Sequence, residues 1–172
     1  MQAYVGLGNP GDKYQNNRHN VGYMAIDYMI EKITPCVTWE SKPKLQSQIV
    51  KLDNSLYVKP QTFMNSSGLA AKKLVDYYKI NLEDLYVFYD DLDIRLGEYK
   101  IQKGKAPHEH NGVLSINKNL GSLDFWHVRI GVDSRDSNNP VSGLEYVLQN
   151  FLTSELEIIQ KTFAKIYKDL YE

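Results

Sequence analysis

Residues 5–22 read VGLGNPGDKYQNNRHNVG, and the way this stretch folds decides what kind of α/β protein the chain is. Gly6, Gly8 and Gly11 spell G-x-G-x-x-G directly after the apolar run Ala3-Tyr4-Val5, which is the spacing of a dinucleotide-binding turn. Such a turn needs a helix to open inside it, because the pyrophosphate sits on the helix N-terminus. Here Pro10-Gly11 is followed by DKYQNNRHN, a polar run that delays the helix to about Asn20. The ribose-binding acid should end the next strand ~20 residues further on, but Asp27 and Glu31 fall inside the helix instead. The glycines are better suited to letting Asn9-Pro10 turn sharply, so that polar side chains point into a cleft.

Outward from that loop, short β-branched and aromatic runs predict strands at Gln2–Leu7, Gln48–Leu52, Leu56–Lys59, Leu85–Tyr89, Glu98–Gln102 and His127–Val132. Asp53-Asn54 reads as a hairpin turn between two of them. Helical patterns lie between the strands: Asn20–Ile33, Ser66–Tyr78 with a polar start suited to capping, and Asn111–Leu120. In the last helix, Ser154 with Glu157 forms a capping box, and Ile159, Phe163, Ile166 and Leu170 follow at helical spacing. Alternating strands and helices imply an α/β sandwich with a twisted, mostly parallel sheet, made mixed by the 48–59 hairpin and flanked by helices. Ligands of such sheets sit beyond the carboxyl ends of the strands. That rule puts Leu7–Gly11, with Asp90 at the end of its strand and Asp91–Asp93 beyond it, and the segment after Gln102 around one expected crevice.

The bulk numbers fit this picture. A chain of 172 residues suits a single compact domain, residues 1–172, burying about 70% of its unfolded surface. Hydrophobic content of 42% and charged content of 24% are those of a soluble globular protein. No apolar run approaches the ~20 residues that span a bilayer, and nothing at the N-terminus has an export pattern. Cys36 is the only cysteine, which excludes an intrachain disulfide and suits a reducing cytoplasm. Its expected place is buried or half-buried. The net charge is −1, yet Arg95, Lys100, Lys103, Lys105 and Lys118 crowd one segment against Glu98 and Glu109. A local positive face can bind phosphate on a neutral protein, although charge alone favours reading the cluster as solvated surface.

Amides and imidazoles gather at the predicted element ends: Asn9, His19 in Arg18-His19-Asn20, Asn65, and His110-Asn111-Gly112, with Asp90 closing a strand. Each alone has a bland use, as a cap or a structural histidine. Five such groups on one side of a sheet point to a site.

At these residues the sequence resembles bacterial peptidyl-tRNA hydrolases. VGLGNPGDKYQNNRHNVG, KPQTFMNSSG, YDDLD with LG after it, and HNG with RIGV further on occur in the family's order and spacing. The resemblance implies a cytoplasmic, monomeric enzyme that cleaves the ester between a peptide and the 3′-terminal ribose of tRNA. Neither a metal nor another cofactor is expected. His19 matches the catalytic base, and a neutral imidazole can take a proton from water near neutral pH. Asp90 matches the carboxylate that orients it. Asn9 matches a catalytic-site residue that separates N-blocked from free aminoacyl esters. Asn65, His110 and Asn111 match residues that bind the peptidyl or 3′-terminal part, and amides can donate to an oxyanion without titrating. Tyr14, Phe63 and Met64 match positions near the terminal nucleotide and peptide, with core packing the competing use of Phe63 and Met64. Arg129 matches a clamp on the acceptor-stem phosphate. The clamp's usual lysine partner falls at Gln102, with Lys100, Lys103 or Lys105 as substitutes.

The chain departs from the family in the loop before His-Asn-Gly, which reads Gly104-Lys105-Ala106-Pro107-His108-Glu109-His110. Pro107 restricts the backbone there, and Glu109 brings negative charge towards an anionic substrate. His108 and His110 have H-x-H spacing, but no third ligand is evident, so a metal site is not expected. His127, at a strand start, is expected to be structural. Two other classes stay open from sequence: a non-catalytic RNA-binding relative, disfavoured by the His19–Asp90 pair, and a nucleotide-dependent oxidoreductase, disfavoured by the late helix.

Overall fold

The computed structural model describes residues 1–107, 109–136, 138 and 141–172. His108, and with it the H-x-H pattern, lies outside them. In chain order the elements are β1 (Gln2–Gly6), α1 (Val21–Ile33), β2 (Glu40–Lys42), β3 (Ser47–Leu52), β4 (Ser55–Pro60), α2 (Ser67–Tyr78), β5 (Leu85–Arg95), β6 (Tyr99–Lys103), α3 (Asn111–Leu120), β7 (Trp126–Asp133), α4 (Gly143–Val147) and α5 (Thr153–Tyr171). The strands form one sheet in the order β2-β3-β4-β1-β5-β7-β6. Neighbours β4, β1, β5 and β7 are parallel, while β3 and β6 run against them near the two edges. The mixed, mostly parallel sheet expected from the strand–helix alternation is therefore present. Among the described residues no helix is long and apolar enough to cross a membrane.

Helices cover both faces. Val21, Ile26 and Met29 of α1 and Ile159, Phe163 and Ile166 of α5 bury against Tyr4, Phe88 and Val128. On the other face Ala71 and Leu74 of α2 and Val113 and Ile116 of α3 bury against Val5, Val87 and Tyr89. Each such side chain, fully removed from water, contributes roughly 1.5–3 kcal/mol.

The glycine loop meets this packing directly. A Cβ on Gly6 would stand 2.3 Å from the Gly22 carbonyl oxygen, and one on Gly22 would stand 2.3 Å from the Phe88 oxygen. These two glycines let the start of α1 lie against the ends of β1 and β5, with no room for a methyl group. The helix opens only at Val21, after single 3₁₀ turns at Asp12–Tyr14 and Arg18–Asn20, and Asp27 faces Lys59 in an ion pair. No helix N-terminus is available inside the glycine turn, which removes the dinucleotide reading.

Several local expectations need correction. β5 does not stop at Tyr89 but runs to Arg95, with a register shift after Asp91, because β7 continues to pair with it. Asp90 thus sits inside a strand. The edge strand β2 and the short α4 carry too little pattern to be read in advance. Ser66 makes no side-chain cap; instead the turn Met64–Ser66 leads into α2, and the Ser67 hydroxyl donates to the Met64 carbonyl. At α5 the acid that reaches back is Glu155, whose carboxylate accepts the Leu152 N–H at 2.8 Å, and not Glu157. Cys36 is exposed, since it lies in the loop after α1, beyond the face that packs on the sheet.

Candidate active site

The length of β5 creates the site. β1 makes its last pairing at Gly6, opposite Phe88, whereas β5 continues alone beside β7. Asp90 lies on this overhang, so side chains from both helical layers can reach it around the end of β1. His19 arrives on the turn that precedes α1, and His110 arrives at the N-terminus of α3.

The contacts define the proton positions. His110 Nδ1 accepts the backbone N–H groups of Gly112 at 3.1 Å and Val113 at 3.3 Å, and so caps α3. Its proton is therefore on Nε2, which donates to Asp90 Oδ1 at 2.9 Å. His19 Nδ1–H donates to the same carboxylate at 2.8 and 2.9 Å. That leaves His19 Nε2 as the imidazole nitrogen with no partner among the described residues. His19 and Asp90 are 7% and 3% exposed, so the pair is shielded from competing water. Burial disfavours the His19 imidazolium, but the Asp90 charge and hydrogen bond outweigh it, and the imidazole titrates above its ordinary value. Burial likewise pushes the Asp90 carboxyl up, yet the two facing imidazoles hold it well below the usual carboxylate range.

His19, Asp90 and His110 each place one ligating atom within 4.8 Å of the others. These atoms are engaged with one another, the ring N–H groups of His19 and His110 each donating to Asp90 at 2.8–2.9 Å.

A cleft of about 480 Å³ opens at this triad, lined by Asp91–Asp93, Pro107, Glu109, Asn111, Arg135 and Leu144 among others. Asn111 also lines an adjoining hollow of about 450 Å³, together with Asn65, Leu69 and Leu114. Asn9 does not join them. It lines a third hollow with Asp12, Gln15, Tyr23 and Gln61, so the single crevice expected from the strand ends is divided. The reason is a pair of amide locks. Asn9 exchanges two hydrogen bonds with the Asn20 side chain, both at 2.9 Å, and its Oδ1 accepts the Met64 N–H at 2.8 Å. The loop is thereby pinned to the α1 side, and Asn9 Nδ2 is left as an oriented donor without a partner among the described residues. Asn20, which opens the predicted helix, proves to be the residue that holds the Asn9 backbone in place.

Residues 3–172 match the family model described as peptidyl-tRNA hydrolase. The chain belongs to the peptidyl-tRNA hydrolase family. It is 36% identical over 164 residues to a peptidyl-tRNA hydrolase of Mycoplasma capricolum subsp. capricolum, an alignment covering 95% of this chain and 87% of that one. It is 35% identical over 174 residues to one from Prochlorococcus marinus, covering 96% and 86%. A solved peptidyl-tRNA hydrolase structure from Acinetobacter baumannii shares the fold with a TM-score of 0.86, at 24% identity, over 99% of this chain and 86% of that one.

Within this peptidyl-tRNA hydrolase fold the remaining residues singled out from sequence divide by exposure. Phe63 is 58% exposed and Met64 4%, so core packing claims the methionine only. Phe63 meets the half-buried Tyr14 edge to face, with ring centroids 6.4 Å apart. His110 is only 6% exposed and has both nitrogens engaged. It orients Asp90 and caps α3, and no nitrogen remains for the substrate contact expected of it. Arg129 donates to Asp91 at 2.6 Å and to Gln102 at 3.1 Å. Lys100 lies directly opposite Arg129 in the β6–β7 register and so shares its face. Lys103 alternates to the other face and pairs with Asp124. His127 is structural: Nε2 donates to the Leu123 carbonyl, and Nδ1 accepts from the Tyr89 hydroxyl.

Proposed function

We propose that this chain hydrolyses the ester joining an N-blocked aminoacyl or peptidyl group to the 3′-terminal ribose of tRNA, with residues 1–172 acting as one domain. The observation that carries the reading is the buried Asp90 carboxylate accepting His19 Nδ1–H at 2.8 Å, which leaves Nε2 as the base. His19 Nε2 takes a proton from water as the oxygen attacks the ester carbonyl. The tetrahedral oxyanion needs an amide N–H donor, and Asn111, which lines the cleft beside His19, is the amide that can supply one there, while Asn9 faces the third hollow. The intermediate then collapses, the ribose oxygen leaves, and the imidazolium returns the proton to it. Asp90 stabilises the charged ring in between. A non-catalytic RNA-binding relative would have no use for a buried, oriented proton acceptor.

The uncharged amides also support selection of blocked esters. A free α-amine brings a cation that such a pocket cannot pair, and a mismatched buried polar group costs roughly 1–3 kcal/mol. Phe63 and Tyr14 offer exposed aromatic surface for the unpaired 3′ end. The reading includes a monomer working in the cytoplasm, with which a lone cysteine is compatible. The test is turnover of N-acetyl-aminoacyl-tRNA beside the unblocked ester. Release from the first and none from the second is expected, and equal release from both, or from neither, would reject the reading.

Arg129 and Lys100 form the proposed phosphate clamp. Replacing Arg129 with Gln is expected to weaken tRNA binding and to lower the slope of log affinity against log salt by about one, since one counterion fewer is released. Binding titrations across salt concentrations check this, and an unchanged slope removes Arg129 from the clamp.

A further inference from the structure

Arg18, directly before the proposed base, takes no part in the chemistry above and does not line the cleft, yet it is 4% exposed. A guanidinium is buried at such cost only when it is paired and hydrogen-bonded. Its Nη2 donates to Glu155 Oε2 at 2.7 Å and its Nη1 to the Asn150 carbonyl at 3.1 Å. The Tyr146 ring lies 4.1 Å from its Cζ. Glu155, in the first turn of α5, is itself 5% exposed. It also accepts the Leu152 N–H and the Ser134 hydroxyl, and Ser134 in turn contacts the Tyr146 hydroxyl. Backbone bonds reinforce the junction, from Arg18 N–H to the Gln149 carbonyl and from Phe151 N–H to that of Asn16. All of this converges on the 3₁₀ turn Arg18–Asn20, in which successive side chains are about 120° apart. Any rotation that moves Arg18 swings His19 by the same angle.

A buried ion pair is weak evidence of a role in stability, because apolar side chains in its place are often neutral or stabilising. We propose that Arg18 and Glu155 are positioning residues: their buried pair clamps the catalytic turn to the start of α5 and holds His19 Nδ1 on Asp90. The pair spans 137 positions of sequence, so the last helix of the chain becomes a structural determinant of the imidazole's aim. The proposal rests on His19 being the base of the hydrolase reading, but one of its tests does not depend on activity.

The test uses the full chain carrying Arg18→Met together with Glu155→Leu. Removing both charges leaves no orphaned ion, so the fold is expected to persist. Two quantities are read: the His19 Nδ1–H resonance in proton–nitrogen NMR, and kcat and KM on N-acetyl-aminoacyl-tRNA. Loss of that resonance is expected, with kcat down about ten- to a hundredfold, the scale of an ångström-sized misplacement, and KM little changed. Arg18→Lys, which keeps an ion pair with Glu155, is expected to restore the resonance. Arg18→Gln together with Glu155→Gln, which keeps near-native volume and polar groups without orphaning a charge, supplies a second break in the same direction should the first double variant not fold. A resonance and kcat equal to those of wild type in the first double variant, or in the glutamine pair where that stands in for it, would overturn the proposal. An inactive wild type would count against the hydrolase reading alone, and the resonance would then decide the clamp.

Discussion

Alanine at position 19 is expected to lower kcat on N-acetyl-aminoacyl-tRNA by on the order of 10²–10⁴-fold, the usual contribution of a general base. Tight tRNA binding is expected to persist, because the proposed phosphate contacts, Arg129 on β7 and Lys100 on β6, make no hydrogen bond with the imidazole. The fold is expected to persist too. Asp90 loses one donor but keeps His110 Nε2–H at 2.9 Å, so its carboxylate is not orphaned. Initial rates and tRNA titrations on the same preparation check the result. A rate within a few-fold of wild type would remove His19 as the base.

Asp90→Asn is expected to cost as much or more, on the order of 10³–10⁴-fold, because an amide can no longer dictate which His19 nitrogen carries the proton. Its pH profile supplies the sharper test. In the wild type Asp90 outweighs burial and raises the His19 value, so the acid limb of kcat/KM should lie above the ordinary imidazole value of ~6.5. In the Asn variant burial acts unopposed, and the limb should move below ~6.5. The stability consequences have opposite signs for the two partners. The raised His19 value favours the folded state below ~6.5, and that contribution is lost as pH rises through the folded value. The depressed Asp90 value favours the folded state above ~3.9 and is lost as pH falls. The protein is therefore least active where the His19–Asp90 ion pair is strongest. An acid limb that stays in place in Asp90→Asn would show that Asp90 does not tune His19.

How far the site could be read in advance varied by residue. His19 and Asn9 stand out in the sequence as polar side chains in a glycine loop, and the late start of α1 leaves no helix N-terminus for a nucleotide there. Asp90 reads locally as a strand end, whereas it lies inside β5, because the end of β5 depends on where β7 stops pairing with it. His110 looked like a substrate contact. Only the backbone of α3 reveals that one nitrogen caps a helix and that the other is spent on Asp90. Phe63 and Met64 are adjacent and similarly apolar, and no local pattern says which of the two faces solvent. Arg18 and Glu155 each read as an ordinary surface charge until the fold places one against the other.

By itself the sequence determined the presence of six of the seven described strands, the long helices, the hairpin at Asp53-Asn54 and the delayed start of α1. These follow from side-chain period and turn chemistry, which act over a few residues. Only the tertiary structure decided that one carboxylate serves two histidines from opposite helical layers, that Asn20 locks Asn9, and that the last helix grips the turn bearing His19. These partners are 71, 20, 11 and 137 positions apart. What joins them is the order of strands in the sheet and the overhang of β5 beyond β1, and no short stretch of chain encodes either.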